Sequence, residues 1–248
     1  MMTSCRNIRA VCARELSGYF TSPVAYVFIL FFLLLSGVFT FKLGGFFAGN
    51  DASLAAFFVW LPWLYLFLVP AIGMRLWAEE RRAGTLELLL TMPLTGWQAI
   101  LGKFLAAWAV LLAALLLTFP LLLTVAYLGE PDLGALLGGY LGALLLAGAF
   151  LAVSSMTSAL TRNQVISFIL SLCLCLFLNL AGWPPVTGFL VRWAPPWLID
   201  GVAQFSVYPH FSAMQKGLVE LRGLVYFLSV ILFGLFTTAV ILRNRRTR

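Results

Sequence analysis

Between Phe57 and Gly96 the chain reads FFVWLPWLYLFLVPAIGMRLWAEERRAGTLELLLTMPLTG. The first half, Phe57–Met74, contains no Asp, Glu, Lys, Arg or His. The second half, Arg75–Gly96, gathers Arg75, Glu79, Glu80, Arg81, Arg82 and Glu87 in a protein that is only 10% charged. A second apolar run, Phe104–Leu128, follows almost at once. An uncharged run, a charge-balanced interval and another uncharged run decide the fold class.

Working outward, the 248 residues are 62% hydrophobic with 22 Phe and a mean hydropathy of +1.00. A soluble domain of this size covers its outside with about a quarter charged residues, and this chain has far too few. Its apolar runs also exceed the length of buried core helices. About 20 residues cross a hydrocarbon core, and only helices or closed barrels satisfy the backbone there. The chain therefore reads as an all-α integral membrane protein with six transmembrane spans, at 24–41, 57–74, 104–128, 133–160, 164–181 and 223–242.

Charge distribution sets the orientation. With a cytoplasmic N-terminus, the inner segments carry Arg6, Arg9, Arg14, Arg75, Arg81, Arg82, Lys103, Arg162, Arg243, Arg245, Arg246 and Arg248, against Lys42, Arg192, Lys216 and Arg222 outside. Asp51, Glu130, Asp132, Asp200 and Glu220 also fall outside. The positive-inside bias puts both termini in the cytoplasm. The net charge of +7 thereby marks a membrane face and calls for no nucleic acid. The first apolar run starts late and no small-residue cleavage site follows it, so the first span is expected to stay.

Ahead of that span, Ile8, Val11, Cys12, Leu16, Tyr19 and Phe20 recur at helical spacing among Arg9, Arg14 and Glu15. This predicts an amphipathic interfacial helix over 7–22, against the alternative of an unstructured basic leader. Pro62, Pro70 and Pro120 are expected to bend their spans. Gly134, Gly138 and Gly142 recur at i+4 and form a small-residue face suited to close helix packing, either within the chain or between subunits. The segment 182–222 mixes paired prolines with Trp183, Trp193 and Trp197. It reads as short interfacial or partly re-entrant helices on the outside, serving as a structural cap or as a platform for a lipid-like substrate.

No catalytic constellation is present. There is one His, His210, expected in an ordinary loop contact; Cys5, Cys12, Cys173 and Cys175 have neither metal-site spacing nor a disulfide pattern. Gly96–Phe104, GWQAILGKF, misses the P-loop pattern in spacing and in the missing hydroxyl after Lys103. The spans hold no acidic or histidine relay of the kind proton-driven transporters use. Any energy for transport is expected from outside this chain.

The interval Arg75–Gly96 is expected to be a compact helical element joined to two spans. Gly84-Thr85 breaks it, and Leu86, Leu89 and Leu90 share an apolar face beside Glu87. A topology marker needs only basic residues. Balanced charge with a leucine face suits docking into a partner.

These residues resemble the motif region of ABC-2-type permeases, the membrane subunits of a class of ATP-binding-cassette transporters. The acidic pair falls on Glu79-Glu80, the basic residue on Arg81 or Arg82, and Gly-Thr-Leu-Glu on Gly84-Thr85-Leu86-Glu87. A Leu-rich turn follows at Leu88–Leu90, then Thr91-Met92-Pro93 and Gly102-Lys103. Phe211–Val230 resembles the approach to the last span in the gliding-motility-type branch, although Gly223 stands where many relatives carry an acidic residue. The resemblance runs from about Glu15 to Arg245.

It implies a permease, mostly of the exporter kind, in the bacterial cytoplasmic membrane. Two permease units, as a homodimer or heterodimer, would work with two cytoplasmic ABC ATPase subunits and with auxiliary membrane or periplasmic proteins. ATP and Mg would sit on the ATPase, and this chain would hold no cofactor and no catalytic residue. Its ATPase-coupling surface would comprise Glu79, Glu80, Arg81, Gly84, Thr85, Leu86, Glu87 and Leu89. The rival readings are a structural or assembly component of a surface machine, a secondary transporter, and an intramembrane enzyme.

Overall fold

The computed structural model describes residues 2–46, 53–85, 95–129, 131–190 and 201–246. Its helices, in chain order, begin with α1 (Met2–Thr21), α2 (Val24–Val38), α3 (Ala55–Gly73) and α4 (Arg75–Ala83). They continue with α5 (Gly96–Leu116), α6 (Phe119–Leu128), α7 (Leu133–Leu160) and α8 (Gln164–Leu180). The last are α9 (Pro184–Leu190), α10 (Val207–Gln215) and α11 (Leu221–Arg246). Among the described residues there is no strand.

Five helical stretches are long and apolar enough to cross a membrane: Val24–Leu43, Ala55–Ala83, Gly96–Leu128, Leu133–Leu160 and Leu221–Asn244. Gln164–Leu180 is a shorter apolar helix. Uniformly apolar helices with Tyr127, Leu137, Leu221 and Leu232 turned outward suit a lipid surround, because hydrocarbon replaces the polar coat that a soluble bundle needs. The protein is a multi-pass helical membrane protein.

The central post is α7, an unbroken helix of 28 residues, buried along most of its length and packed by α3, α5, α8, α10 and α11. Small residues bring neighbours close. A Cβ at Gly234 of α11 would lie 2.8 Å from the Ala152 backbone, and one at Gly73 of α3 would lie 2.3 Å from the Ser154 Cβ. Gly138 and Gly142 face α10: a Cβ at Gly138 would meet the Met214 carbonyl oxygen at 2.5 Å. Gly134 is exposed, and Gly217, at φ +78°, approaches its backbone. Gly138 and Gly142 thus meet α10 of the same chain, while Gly134 stays exposed.

Prolines act unevenly. Pro62 and Pro70 both lie inside α3 without ending it. Pro62 has no N–H for the Phe58 carbonyl, the usual i−4 acceptor; Gln215 Nε2 of α10 donates to that oxygen at 3.0 Å instead. Near Pro120 the helix does break, at Leu117–Thr118. There Thr118 Oγ1 donates to the Leu115 carbonyl at 2.6 Å and meets Tyr140 Oη at 3.0 Å.

Short helices occur in 182–222, as expected. Val207, Phe211 and Met214 are buried in the bundle core, so α10 is an integral part of the packing. Trp183 packs edge-on against Trp63, with ring centres 5.4 Å apart, whereas Trp193 and Trp197 lie outside the described residues. His210, expected in a loop, belongs to α10. Its ring stacks on Tyr226 at 4.3 Å, and its Nε2 lies 3.2 Å from the Gln204 carbonyl. All four cysteines are free.

Candidate functional site

Where the apolar run of α3 ends, α4 turns away at Met74 and carries the charged sequence across one end of the bundle. This bend interrupts the helical ladder, since the amides of Trp77 and Ala78 both turn to a side chain. Ser158 Oγ of α7 accepts from each at 3.0 Å and donates to the Met74 carbonyl at 2.8 Å. A single hydroxyl thus satisfies the backbone of the bend, which a buried polar group demands. Trp77 is itself fully buried, and its indole N–H donates to Ser155 Oγ at 3.0 Å. Arg81 Nη1 donates to the Ala159 carbonyl at 2.7 Å, closing one of the carbonyls that the end of α7 leaves open.

Lys103 sits at the centre of this end. Only 4% of its side chain is exposed, on a helix whose next residues are apolar. Its ammonium contacts Glu80 Oε1 at 2.8 Å and Glu15 Oε2 at 3.0 Å, and lies 5.6 Å from the Trp77 ring centre. Two carboxylates and an aromatic face compensate a cation that would be costly to bury alone. Three elements meet there: α1 through Glu15, α4 through Glu80 and α5 through Lys103. Burial pushes the Glu15 carboxyl up, but Lys103 and Arg14 together outweigh it and hold the group below its ordinary value.

Alongside, α1 lies against α5. Gly102 lets it approach: a Cβ there would fall 2.6 Å from Val11 Cγ1 and 3.2 Å from the Ile8 carbonyl oxygen. Asn7 Nδ2 donates to Gln98 Oε1 at 3.3 Å. The same oxygen accepts from the Thr95 amide at 3.1 Å in the capping box that starts α5.

Of the residues expected to couple to a partner, Glu79, Gly84 and Thr85 are exposed. Gly84 ends α4 in the left-handed region at φ +73°, the conformation that favours glycine at a helix C-terminus. Glu80 and Arg81 are turned inward to Lys103 and Ala159. Leu86, Glu87 and Leu89 lie outside the described residues. Sequence reasoning placed Lys103 only as part of a motif and Glu15 only on an amphipathic face. Trp77, Ser155 and Ser158 went unremarked. The available signal was a lysine directly ahead of the Phe104–Leu128 run, where charge must find a partner or reach the surface. Among the described residues, no cluster of His, Cys, Asp or Glu is arranged to hold a metal ion.

The five long apolar helices define a multi-pass membrane protein, with the charged α4 packed at one end of α7. Residues 67–197 match the family model described as ABC-2 family transporter protein, and the chain belongs to that family. The match covers α4, the bend at Met74 and the whole of α7. No curated protein matches the chain.

Proposed function

We propose that this chain is the permease subunit of an ATP-driven transporter, exporting its substrate across the bacterial cytoplasmic membrane. Both termini face the cytoplasm, as the charge bias requires. Six spans cross the bilayer: α2, α3, α5–α6, α7, α8 and α11. With Gln164–Leu180, α8 reaches about 26 Å, near the lower limit for a span. Two cytoplasmic ABC ATPase subunits bind below a pair of permease subunits, which are two copies of this chain or this chain and a second permease.

The observation that carries the coupling role is the Lys103 junction. A push on α4 is passed to its neighbours, because α4 is tied to α5 and α1 through Glu80, Lys103 and Glu15. Closure of the ATPases moves these three helices together and shifts α3 and α5 against α7. The exposed Glu79 and Thr85, with Leu86, Glu87 and Leu89, form the docking side. Glu80 and Arg81 hold the element in shape.

Co-purification with the cognate ABC ATPase tests this. Glu79→Lys combined with Glu87→Lys, with Glu80 untouched, abolishes co-purification and ATPase stimulation in a folded permease. Intact co-purification and unchanged stimulation overturn the docking assignment.

A further inference from the structure

A cavity of about 370 Å³ opens between the end of α1, the start of α2 and the first turn of α4. Its polar lining includes Arg14, Tyr19, Ser22, Arg75, Glu79 and Glu80. Its size falls in the range of small-molecule sites, and opposite charges are balanced on its walls. Within the cluster, Lys103 is consumed by Glu15 and Glu80, and Arg14 is paired with Glu15 at 2.8 Å.

Four polar groups are left over. Among the described residues, Arg75 and Glu79 make neither an ion pair nor a hydrogen bond. They lie at i and i+4 of one helix, about 5–6 Å apart at their Cβ atoms. Glu80 Oε2 is buried and has no hydrogen-bond partner among the described residues. The Tyr19 hydroxyl remains a donor, since burial first and then Glu15 push its pKa well up.

We propose that this cavity holds the headgroup of a membrane aminophospholipid. The phosphate sits against Arg75, the Tyr19 hydroxyl and the exposed side of Arg14. The primary ammonium sits against Glu79 and Glu80 Oε2. An ethanolamine phosphate separates its two charges by a two-carbon bridge, a spacing that adjacent turns of α4 reproduce. A phosphate alone leaves the carboxylates unanswered, and a quaternary amine has no N–H to donate to Glu80. The acyl chains leave past Ser22 and Val24, where α2 enters the bilayer. Such a lipid wedges α1 against α4 beside the Lys103 junction. The inference rests on the cytoplasmic placement of the N-terminus in the proposed function.

Native mass spectrometry of the delipidated full-length permease tests it, with phosphatidylethanolamine, phosphatidylcholine and phosphatidylglycerol of matched chains as probes. The wild type retains phosphatidylethanolamine about fivefold better than either other lipid, on the order of a partly exposed charge pair. Glu79→Gln and Arg75→Gln each remove that preference, while Arg162→Gln, in the loop before α8, keeps it. Equal retention of the three lipids, a preference for phosphatidylglycerol, a preference surviving Glu79→Gln, or displacement by millimolar inorganic phosphate overturns the site. Orientation is read separately. In a variant retaining only the exposed Cys5 of α1, labelling by an impermeant maleimide from outside the cell overturns the topology. Absence of lipid preference overturns the headgroup site alone.

Discussion

Lys103 Nζ and Glu80 Oε1 lie 2.8 Å apart, joining the helix that carries the charged interval to the span that follows it. The ammonium is almost wholly buried, so each partner depends on the other. Lys103→Met leaves Glu80 without its counter-charge and Glu15 with Arg14 alone, and destabilises the protein by about 3 kcal/mol. The double variant Lys103→Met with Glu80→Gln recovers part of that loss, because the stranded charge is gone. Denaturant unfolding in detergent measures both; equal stability of the single variant and the wild type contradicts the junction.

Ser158 supports the bend at Met74 by receiving two amides and donating to one carbonyl. Ser158→Ala leaves those groups unpaired at a buried site and costs about 2 kcal/mol. The effect is local. Hydrogen exchange speeds up in 75–83, while the central part of α7 keeps its protection. Uniform acceleration across the chain would show that the serine has no special hold on the bend.

Close approach of α1 to α5 depends on Gly102. A leucine there collides with Val11 and with the backbone at Ile8, an overpacking cost of about 1–3 kcal/mol. Gly102→Leu therefore lifts and loosens α1, so that its already exposed Arg6, Arg9 and Arg14 become better trypsin sites. Cleavage at these sites in the purified variant is faster than in the wild type, whereas an unchanged digestion pattern counts against docking through this glycine.

Glu15 gives the junction a pH dependence. Its folded pKa is lowered, with burial opposing and Lys103 and Arg14 prevailing. Its stabilising contribution is therefore fully present above the ordinary glutamate value of about 4.3 and is lost as the pH falls through the lowered folded value. Acid loosens α1 first, detected as faster hydrogen exchange over Met2–Thr21. Glu15→Gln removes the step; an identical acid profile in that variant assigns it to another group.

In the first half of α7, Gly138 abuts the Met214 carbonyl. Gly138→Leu displaces α10 from α7 and frees Gln215 from the Phe58 carbonyl that Pro62 leaves open. Loss of thermal stability with α10 deprotected in hydrogen exchange is the expected outcome. Retained protection of α10 together with a new oligomeric state points instead to a face between subunits.

Membrane character was legible in the sequence because it is a bulk property: uncharged runs as long as Phe104–Leu128 have no other stable setting. The start of α4, its end at Gly84 and the break near Pro120 were legible as well, since propensity and backbone sterics act over a few residues. Charge bias gave an orientation. Helix α1 could be anticipated because its apolar side repeats at helical spacing.

Tertiary structure decided which charges stay exposed and which face each other. Glu79 and Glu80 are neighbours of the same chemistry in sequence, yet a rotation of about 100° per residue leaves one exposed and turns the other to Lys103. Likewise Ser158 and Gln215 become important only because a bend and a proline, far away along the chain, leave backbone groups that need them. The charged interval alone marks where the chain leaves the bilayer. The packing of α1, α4 and α5 around one buried ammonium ties α4, its first part, to the bundle, because a buried charge tolerates no position except beside its counter-charges.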